Sequence, residues 1–338
     1  IYSGSTSATI TITGGSFENN EVKAYGHGAA IYQENGSLTV DGTSFKNNKG
    51  HVEGGNAGTQ GACIHTRNPV TATISNVEAE IVKGFNTGGF LRSLGSNVTV
   101  TNSKFTISGL GDGYGYSGGA LCFENGTSKV TGSTFTCTGS KLFHAGGFID
   151  IVGGGTHVID NNTMTGAGND NNSAIASFGG AISVEQGAKA TVTIKGNTIT
   201  NSTASDNGGA IAIGTYRDGK TPKPKPGEDP VPEKTPSEVT MIGNKINNSG
   251  LIMWKGGAGG GVFVGPGATV TMSGDEIKDT KAPYGGGVYN EGDLNISGGA
   301  SLTGGIALSL GGEIYNNGDL TVDNATVAGN FVGPANWN

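Results

Sequence analysis

Arg92 and Asp150 are the charged residues that best suggest chemistry, since each directly follows an aliphatic residue in a recurring segment. If the aliphatic residue points into a core, its neighbours in a strand point outward. Glycoside hydrolysis needs two carboxylates roughly 5–9.5 Å apart, but Asp150 is the only carboxylate at its position. A calcium-assisted lyase needs several clustered carboxylates, which this pattern lacks. We therefore expect no catalytic residue, and we interpret both side chains as solvated or as part of a binding surface.

Aromatic residues suggest a surface that binds a ligand by contact. Phe90 and Phe148 directly precede the aliphatic residue of their segments, so they too are expected to point outward. Exposed rings on a rigid face stack on sugar rings or anchor a protein partner, unless a neighbouring loop covers them. Long, variable loops leave the same edge of the molecule and add further candidates. The candidate ligand-binding residues are Phe90, Arg92, Tyr114, Tyr116, His144, Phe148, Asp150 and Trp254.

Other kinds of site have little support in the sequence. The five histidines show no close metal-ligand spacing, so we expect no metal site and no cofactor. Cys63, Cys122 and Cys137 are odd in number, and we interpret them as small buried residues. A recurring Thr in one strand suggests ice binding, but the residues two positions later are irregular. We attribute the Thr to its preference for outward strand positions.

A repeated Gly-Gly segment organises the chain that would carry these residues. Two glycines, a variable residue and an aliphatic residue recur, with two degenerate early copies; the aliphatic residues are at positions 31, 64, 91, 121, 149, 182, 211, 262, 288 and 314. Such a period indicates stacked structural units. Each unit adds an alternating strand, such as residues 98–100, and in most units an apolar residue follows five positions after that strand's last apolar residue. The register near Ile74 to Ile81 stays open.

Three short strands in each unit predict an all-β fold, a parallel β-helix of about eleven coils. The general rule for parallel crossovers predicts a right-handed path. Residues 1–338 form a single domain with a Pro-rich inserted loop at 217–237, which should be extended and exposed. We interpret the chain as an excised part of a longer surface protein.

The composition excludes several function classes. Gly accounts for 64 of 338 residues, but without the strict spacing of collagen. The net charge of −7 argues against a nucleic-acid partner. No apolar run approaches the roughly 18 residues of a membrane span, so we expect no direct membrane insertion.

The motifs Gly-Gly-Ala-Ile at 179–182 and 208–211 and Phe-x-x-Asn at 17–20 and 45–48 resemble the repeats of chlamydial polymorphic membrane proteins and related bacterial adhesin-like surface proteins. The resemblance covers essentially the whole chain, although many copies lack the Phe or the Asn. It implies a secreted or surface-displayed right-handed parallel β-helix used in adhesion.

We therefore expect an extracellular adhesin or recognition segment of a microbial cell-surface protein. Its partner would be a host or environmental glycan or a protein receptor, and we expect a monomer that is not an enzyme. The alternatives are a polysaccharide-degrading lyase or hydrolase on the same scaffold, and a passive stalk that needs no ligand.

Overall fold

A computed structural model describes residues 1–5, 7–22, 26–50, 60–82, 87–108, 117–138, 143–168, 174–185, 189–215, 237–252, 256–333 and 336–337. These residues form strands, turns and bends without a helix, so none of them forms a helix able to span a membrane. The strands form long parallel sheets, which confirms the all-β class and gives the arrangement of a solenoid. The Pro-rich insertion lies outside the described residues, apart from Ser237 at its end.

The first stack of strands follows the Gly-Gly segments. Glycine is required there because successive repeats approach closely: a Cβ on Gly180 would collide with the carbonyl oxygen of Gly209. Gly179 adopts a φ of +61°, which side chains disfavour. The strands are Tyr2–Ser3, Ile31–Asp41, Ile64–Ser75, Leu91–Leu94, Leu121–Glu124, Ile149–Ile151, Ile182–Glu185, Ile211–Thr215, Val262–Val264, Val288–Asn290, Ile314–Asn316 and Phe331–Val332.

The second stack carries the alternating segments, with apolar side chains buried and polar ones outward. Ile31–Asp41 and Ile64–Ser75 run through both stacks, so hydrogen bonds join 22 strands into one sheet. The remaining strands are Thr9–Thr13, Asn97–Thr101, Thr127–Thr131, Gly155–Asp160, Ala190–Lys195, Glu238–Ile242, Thr269–Ser273, Asp293–Ser297, Asp319–Val322 and Asn336–Trp337.

The third stack preserves the five-residue step seen in the sequence. Phe105 pairs with Phe135, and Ala79 takes the same position one repeat earlier, which settles the register left open near Ile74. Its strands are Ser16–Glu18, Ser44–Gly50, Glu78–Ile81, Lys104–Ile107, Thr134–Cys137, Thr163–Thr165, Thr198–Thr200, Lys245–Asn247, Glu276–Lys278, Ser301–Thr303 and Thr326–Ala328, with Glu21–Val22 pairing beside them.

A fourth stack, which forms a separate six-stranded sheet, was not expected from the sequence, which indicated three strands per repeat. It forms where the chain between the third stack and the next Gly-Gly segment is extended. Small and aliphatic residues fill its inner side: Ala204, Leu251 and Ala282 form a buried cluster. The strands are Phe143–Ala145, Ala176–Phe178, Thr203–Asn207, Gly250–Leu251, Lys281–Tyr284 and Ile306–Leu310.

Asn and Gly shape the corner between the second and third stacks. Asn102, Gly132 and Asn161 occupy this corner in successive repeats with φ of 50°, 63° and 54°. Only Gly, and to a lesser degree Asn, enters this left-handed region at low cost. The corner therefore explains much of the Asn and Gly content.

Inside that corner, four buried polar side chains form a ladder along the molecule. Asn162 donates to Asn197 at 3.0 Å, Asn197 to Asn244 at 3.0 Å, and Asn244 to Asp275 at 2.7 Å. Each Asn also donates to a backbone carbonyl, so the side-chain amide of each makes two hydrogen bonds as a donor. Asp275 ends the series as a pure acceptor.

Candidate functional site

The residues that follow the first-stack aliphatic positions form one continuous outer column, as the sequence predicted. Strand pairing places them in register from repeat to repeat. In order they are Tyr2, Tyr32, His65, Arg92, Cys122, Asp150, Ser183, Ala212, Phe263, Tyr289 and Tyr315. This outer column changes from aromatic to polar to small and back to aromatic.

A second column of residues, which we call the covering column, lies over the first. Its members precede the Gly-Gly segments and pair with one another: His27, Gln60, Thr87, Ser117, Ala145, Phe178, Asn207, Ala258, Tyr284 and Leu310. The chain therefore bends sharply at each Gly-Gly segment, which brings the residue before the bend close to the outer column. The covering column buries the middle of the outer column, which the sequence alone did not indicate.

The expectation that Phe90 and Phe148 point outward is wrong. Both side chains are fully buried in the hydrophobic core. The strands begin at Leu91 and Ile149, so alternation does not extend to the residue before. Phe90 packs against Phe105 at a centroid distance of 5.1 Å, on the inner side of the third stack. These two rings fill the core and cannot contact a ligand.

The interpretation of Asp150 and Arg92 as solvated residues is also wrong. Asp150 is fully buried in the middle of the outer column, where Cys122 and Ser183 flank it. Arg92 is only 6% exposed. Its guanidinium donates to the side-chain oxygen of Gln60 and to the carboxylate of Glu124, and the latter contact is an ion pair.

Four rings at the amino-terminal end of this face form what we call the aromatic cluster: Tyr2, His27, Tyr32 and His65. Tyr2 stacks on Tyr32 at 5.3 Å with planes 2° apart, and Tyr32 stacks on His65 at 5.3 Å. His27, from the covering column, lies 4.7 Å from His65 and 6.0 Å from Tyr32. The cluster is continuous with Arg92, which is the next residue of the outer column.

Burial keeps the two histidines neutral. Burial, with smaller contributions from His27 and Arg92, lowers the pKa of His65 to about 3. Burial also lowers the pKa of His27, helped by Arg92 and Arg67. Within the described part of the chain, Nδ1 of each histidine has no hydrogen-bond partner. Both rings are therefore neutral; His27 is partly exposed, whereas His65 is buried.

A cavity of about 390 Å³ opens beside the cluster. It is lined by Ile1, Tyr2, His27, Gly28 and Tyr32, so aromatic surface predominates. Its volume is within the range of roughly 300–1,000 Å³ typical of small-molecule sites.

A second aromatic row lies at the other end of the outer column. Phe263, Tyr289 and Tyr315 stack at 5.7 and 5.1 Å, and Tyr284 meets Tyr315 at 6.0 Å. The Tyr289 hydroxyl donates to Glu291, and burial together with that carboxylate raises its pKa. This row lacks the histidines of the aromatic cluster and the Arg92 next to them, which makes it a natural comparison surface.

The other candidates from the sequence are not brought to this cluster. His144 is half-buried and its ring lies 5.3 Å from Phe178. Tyr114, Tyr116 and Trp254 lie outside the described residues. No group of three or more potential metal ligands occurs in the part of the chain that the structure describes.

Sequence reasoning missed Tyr2, His27, Gln60 and Glu124. Tyr32, His65 and Arg92 were correctly placed in one column, but nothing in the strand pattern marked the residues that cover it. The available signal was positional: His27 and Gln60 each stand directly before the glycine of a Gly-Ala segment. In comparisons with protein-family models, curated proteins and solved structures, nothing was found to match this chain.

Proposed function

We propose that this chain is a recognition segment of a microbial cell-surface protein, an adhesin that binds a glycan through the aromatic cluster. The segment would act outside the cell, and it would bind without chemical turnover. The scaffold that we propose for it is a right-handed parallel β-helix of about eleven coils. The resemblance to polymorphic membrane protein repeats supports the surface location.

The observation that carries the proposal is the stack of Tyr2 on Tyr32, which together with His27 lines a cavity of about 390 Å³; the buried His65 supports this stack from the next repeat. Sugar rings present flat C–H faces that pack on aromatic rings, and rigid rings lose little entropy on binding. Tyr2 is 73% exposed, so part of the stack is open to a ligand. The strand pairing of each ring's backbone makes the site pre-organised.

Polar groups that line the cavity supply the specificity that stacking lacks. The hydroxyls of Tyr2 and Tyr32 both donate and accept. Arg92 is only 6% exposed and bonded to Gln60 and Glu124, so it supports the buried end of the stack and does not contact the ligand. Sugar hydroxyls both donate and accept, so a mixed set of this kind suits them better than a uniformly charged surface.

The test is a glycan-array screen of the protein, with Tyr32→Ala as the site variant and Tyr315→Ala as the matched control. Both replace a half-buried tyrosine of the same outer column, but only Tyr32 belongs to the aromatic cluster. We expect glycan binding that Tyr32→Ala weakens at least tenfold, about 1.4 kcal/mol, and that Tyr315→Ala leaves unchanged.

A reducing-sugar and unsaturated-product assay on the same glycans separates binding from catalysis. Turnover of a glycan would show that the protein is a polysaccharide-degrading enzyme and not an adhesin. If the array shows no binding, the remaining hypotheses are a segment that binds a protein receptor and a passive stalk. Equal loss of binding in both variants would show that the aromatic cluster is not the specific site.

A further inference from the structure

Three exposed asparagines lie at corners of the solenoid, each with a threonine two positions later. They form the tripeptides Asn125-Gly126-Thr127, Asn161-Asn162-Thr163 and Asn324-Ala325-Thr326. In each tripeptide both the asparagine and the threonine are exposed. Asn-x-Ser/Thr without proline in the middle is the acceptor sequence for glycosylation of asparagine, a modification of surface segments in secreted proteins. We call Asn125, Asn161 and Asn324 the corner asparagines.

The backbone presents both groups of each tripeptide to solvent. The corner asparagines have φ of 60°, 54° and 46°, in the left-handed region that Asn tolerates. The threonine is the first residue of the next strand, and its side chain is on the outer face of that strand. The Thr127 hydroxyl donates to Asn97 at 2.9 Å, which leaves its oxygen free to accept. The amide and the hydroxyl that a transferase must recognise are therefore accessible at the same corner.

Glycines in the adjacent repeats leave room for a sugar beside the corner asparagines. Strand pairing places Gly95 and Gly153 beside Asn125, Gly132 and Gly196 beside Asn161, and Gly298 beside Asn324. A Cβ on Gly196 would lie 2.5 Å from Oδ1 of Asn161, and one on Gly153 would lie 2.7 Å from Oδ1 of Asn125. A larger residue in either place would crowd the amide to which a glycan attaches.

Asparagines at the corner after the third stack use their amides differently. Asn47 donates to Asn19 at 2.6 Å, and Asn248 donates to Asn201 at 2.6 Å, so amides of adjacent repeats pair with each other. Within the described part of the chain, the side-chain amides of the corner asparagines donate to no other residue. Their Nδ2 atoms are therefore available for reaction.

Five other Asn-x-Ser/Thr tripeptides among the described residues lack this arrangement, because the serine or threonine of each is buried or half-buried. They begin at positions 35, 97, 201, 247 and 295. The Thr203 hydroxyl donates to the carbonyl of Gly168 at 2.6 Å, and the Ser249 hydroxyl donates to the carbonyl of Asn247 at 3.2 Å. In the folded chain these two hydroxyls are already bonded inside the protein.

We propose that the corner asparagines carry N-linked glycans. In this reaction Nδ2 of the asparagine loses a proton to a base of the transferase and bonds to the anomeric carbon of a sugar. The bond from that carbon to the phosphate of a glycosyl phospholipid breaks, and the lipid phosphate leaves with the electron pair. The co-reactant is thus an activated glycosyl phospholipid of the cell that produces the protein.

The glycans would lie away from the aromatic cluster. The outer column contains no asparagine, and the covering column contains Asn207 alone, which is followed by Gly208 and Gly209. No Asn-x-Ser/Thr tripeptide therefore begins in either column. All three corner asparagines border the second stack, so the glycans would cover that side and leave the outer column open to a partner.

Peptide mapping by mass spectrometry, on the protein purified from the cells that produce it, tests the proposal. Electron-transfer fragmentation keeps sugars on their residues, and we expect added sugar masses on all three corner asparagines. Thr163→Ala should abolish the modification of Asn161 alone, whereas Thr163→Ser should keep it. Since Thr163 is exposed, both variants should fold like the unaltered protein.

Asn102 is the matched control. It is exposed, with a φ of 50°, at the same corner as Asn161, but Lys104 stands where the hydroxyl is needed. Asn102 should carry no sugar, and Lys104→Thr should create a new glycan there. Lys104 and its ion-pair partner Glu78 are both exposed, so this change should alter stability little.

Unmodified corner asparagines would overturn the proposal. Sugar on Asn161 that survives Thr163→Ala would overturn it too, as would sugar on Asn102 in the unaltered protein or a Lys104→Thr protein without a new glycan. These readouts need no ligand, so they are independent of the proposed glycan binding.

Discussion

His27 and His65 stack face to face although they belong to adjacent repeats, with ring centroids 4.7 Å apart and planes 24° apart. Two imidazolium charges at that distance would repel each other by about 3.5 kcal/mol at an effective dielectric constant of 20. The stack therefore requires neutral rings, in agreement with the lowered pKa of both groups. The geometry of the aromatic cluster thus depends on pH.

The stability of the protein should fall as the pH drops below about 6.5. Burial lowers the pKa of His65 from 6.5 to about 3, so the unfolded chain binds the proton more readily across that window. Protonation then favours unfolding, by about 2 kcal/mol for His65 between pH 7.5 and pH 5. His157, whose pKa burial lowers to about 4, adds an effect of the same sign.

Urea denaturation at pH 7.5 and pH 5 measures this loss. His65→Phe keeps an aromatic ring in the stack without a titrating group. Between the two pH values, the free energy of unfolding of this variant should therefore fall by about 2 kcal/mol less than that of the unaltered protein. An identical loss in the variant and the unaltered protein would mean that His65 does not control the acid sensitivity.

Phe148→Ala should destabilise the protein by about 3–5 kcal/mol, the usual effect of removing a buried phenylalanine. The ring packs 5.8 Å from Phe135 and is fully buried. The unfolding free energy of Tyr315→Ala, a half-buried ring on the outer column, should change by less than half as much. A folded Phe148→Ala protein of normal stability that has lost ligand binding would contradict the placement of this ring in the core.

Asp275→Asn should stabilise the protein at neutral pH. Burial raises the pKa of Asp275 to about 6, so the folded state binds the proton more readily between pH 3.8 and 6, and stability is lost as the pH rises through that window. This shift corresponds to about 3 kcal/mol above pH 6. An amide keeps an acceptor for Asn244 but loses the acceptor for the Ser273 N–H, so the expected net gain is about 1–2 kcal/mol.

The denaturation free energies of Asp275→Asn and the unaltered protein should converge as the pH falls toward 4. Asn244→Asp is the contrasting variant: it removes the amide that donates to Asp275 and places two carboxyl groups together, so it should destabilise at pH 7.5. A gain that does not depend on pH would exclude titration of Asp275 as the cause.

Gly180→Ala should prevent normal stacking of two repeats, at a cost of about 3 kcal/mol or more. An added Cβ meets the carbonyl oxygen of Gly209 and the backbone of Thr203, neither of which can move freely. Gly243→Ala is the control, because its φ is +61° but no atom lies within 4 Å of the added Cβ. Gly243→Ala should lower the free energy of unfolding only by the strain of a side chain at positive φ, about 1 kcal/mol. Equal thermal unfolding midpoints for the two variants would show that the Gly-Gly segment does not need the close approach.

The repeat and its register were predictable because both have local causes. The Gly-Gly bend and the five-residue step recur in the sequence, so Tyr32, His65 and Arg92 could be aligned from the amino-acid pattern alone. The expected exposure of Phe148 was wrong because the strand begins one residue later, at Ile149. Residues at strand ends do not obey the alternation of the strand interior.

The covering column and the fourth stack could not be predicted from the pattern. They are built from segments of variable length, and they contain short residues such as Ala204 and Ala282 that carry no periodic signal. His27 reaches His65 only through the tertiary fold of the Gly-Gly bend. The aromatic cluster therefore became visible only when the two columns were placed together.

Because equivalent residues of successive repeats pair one to one, the number of repeats sets the distance between the two ends of the outer column. Among the described residues the strands pair with their counterparts in the adjacent repeats, so a repeat gained or lost between Asp150 and Phe263 would leave both ends intact. It would move the aromatic cluster relative to the row of Phe263, Tyr289 and Tyr315 by about 4.8 Å. Repeat number thus offers evolution a way to adjust the reach of the molecule in small, equal increments, without redesigning either end.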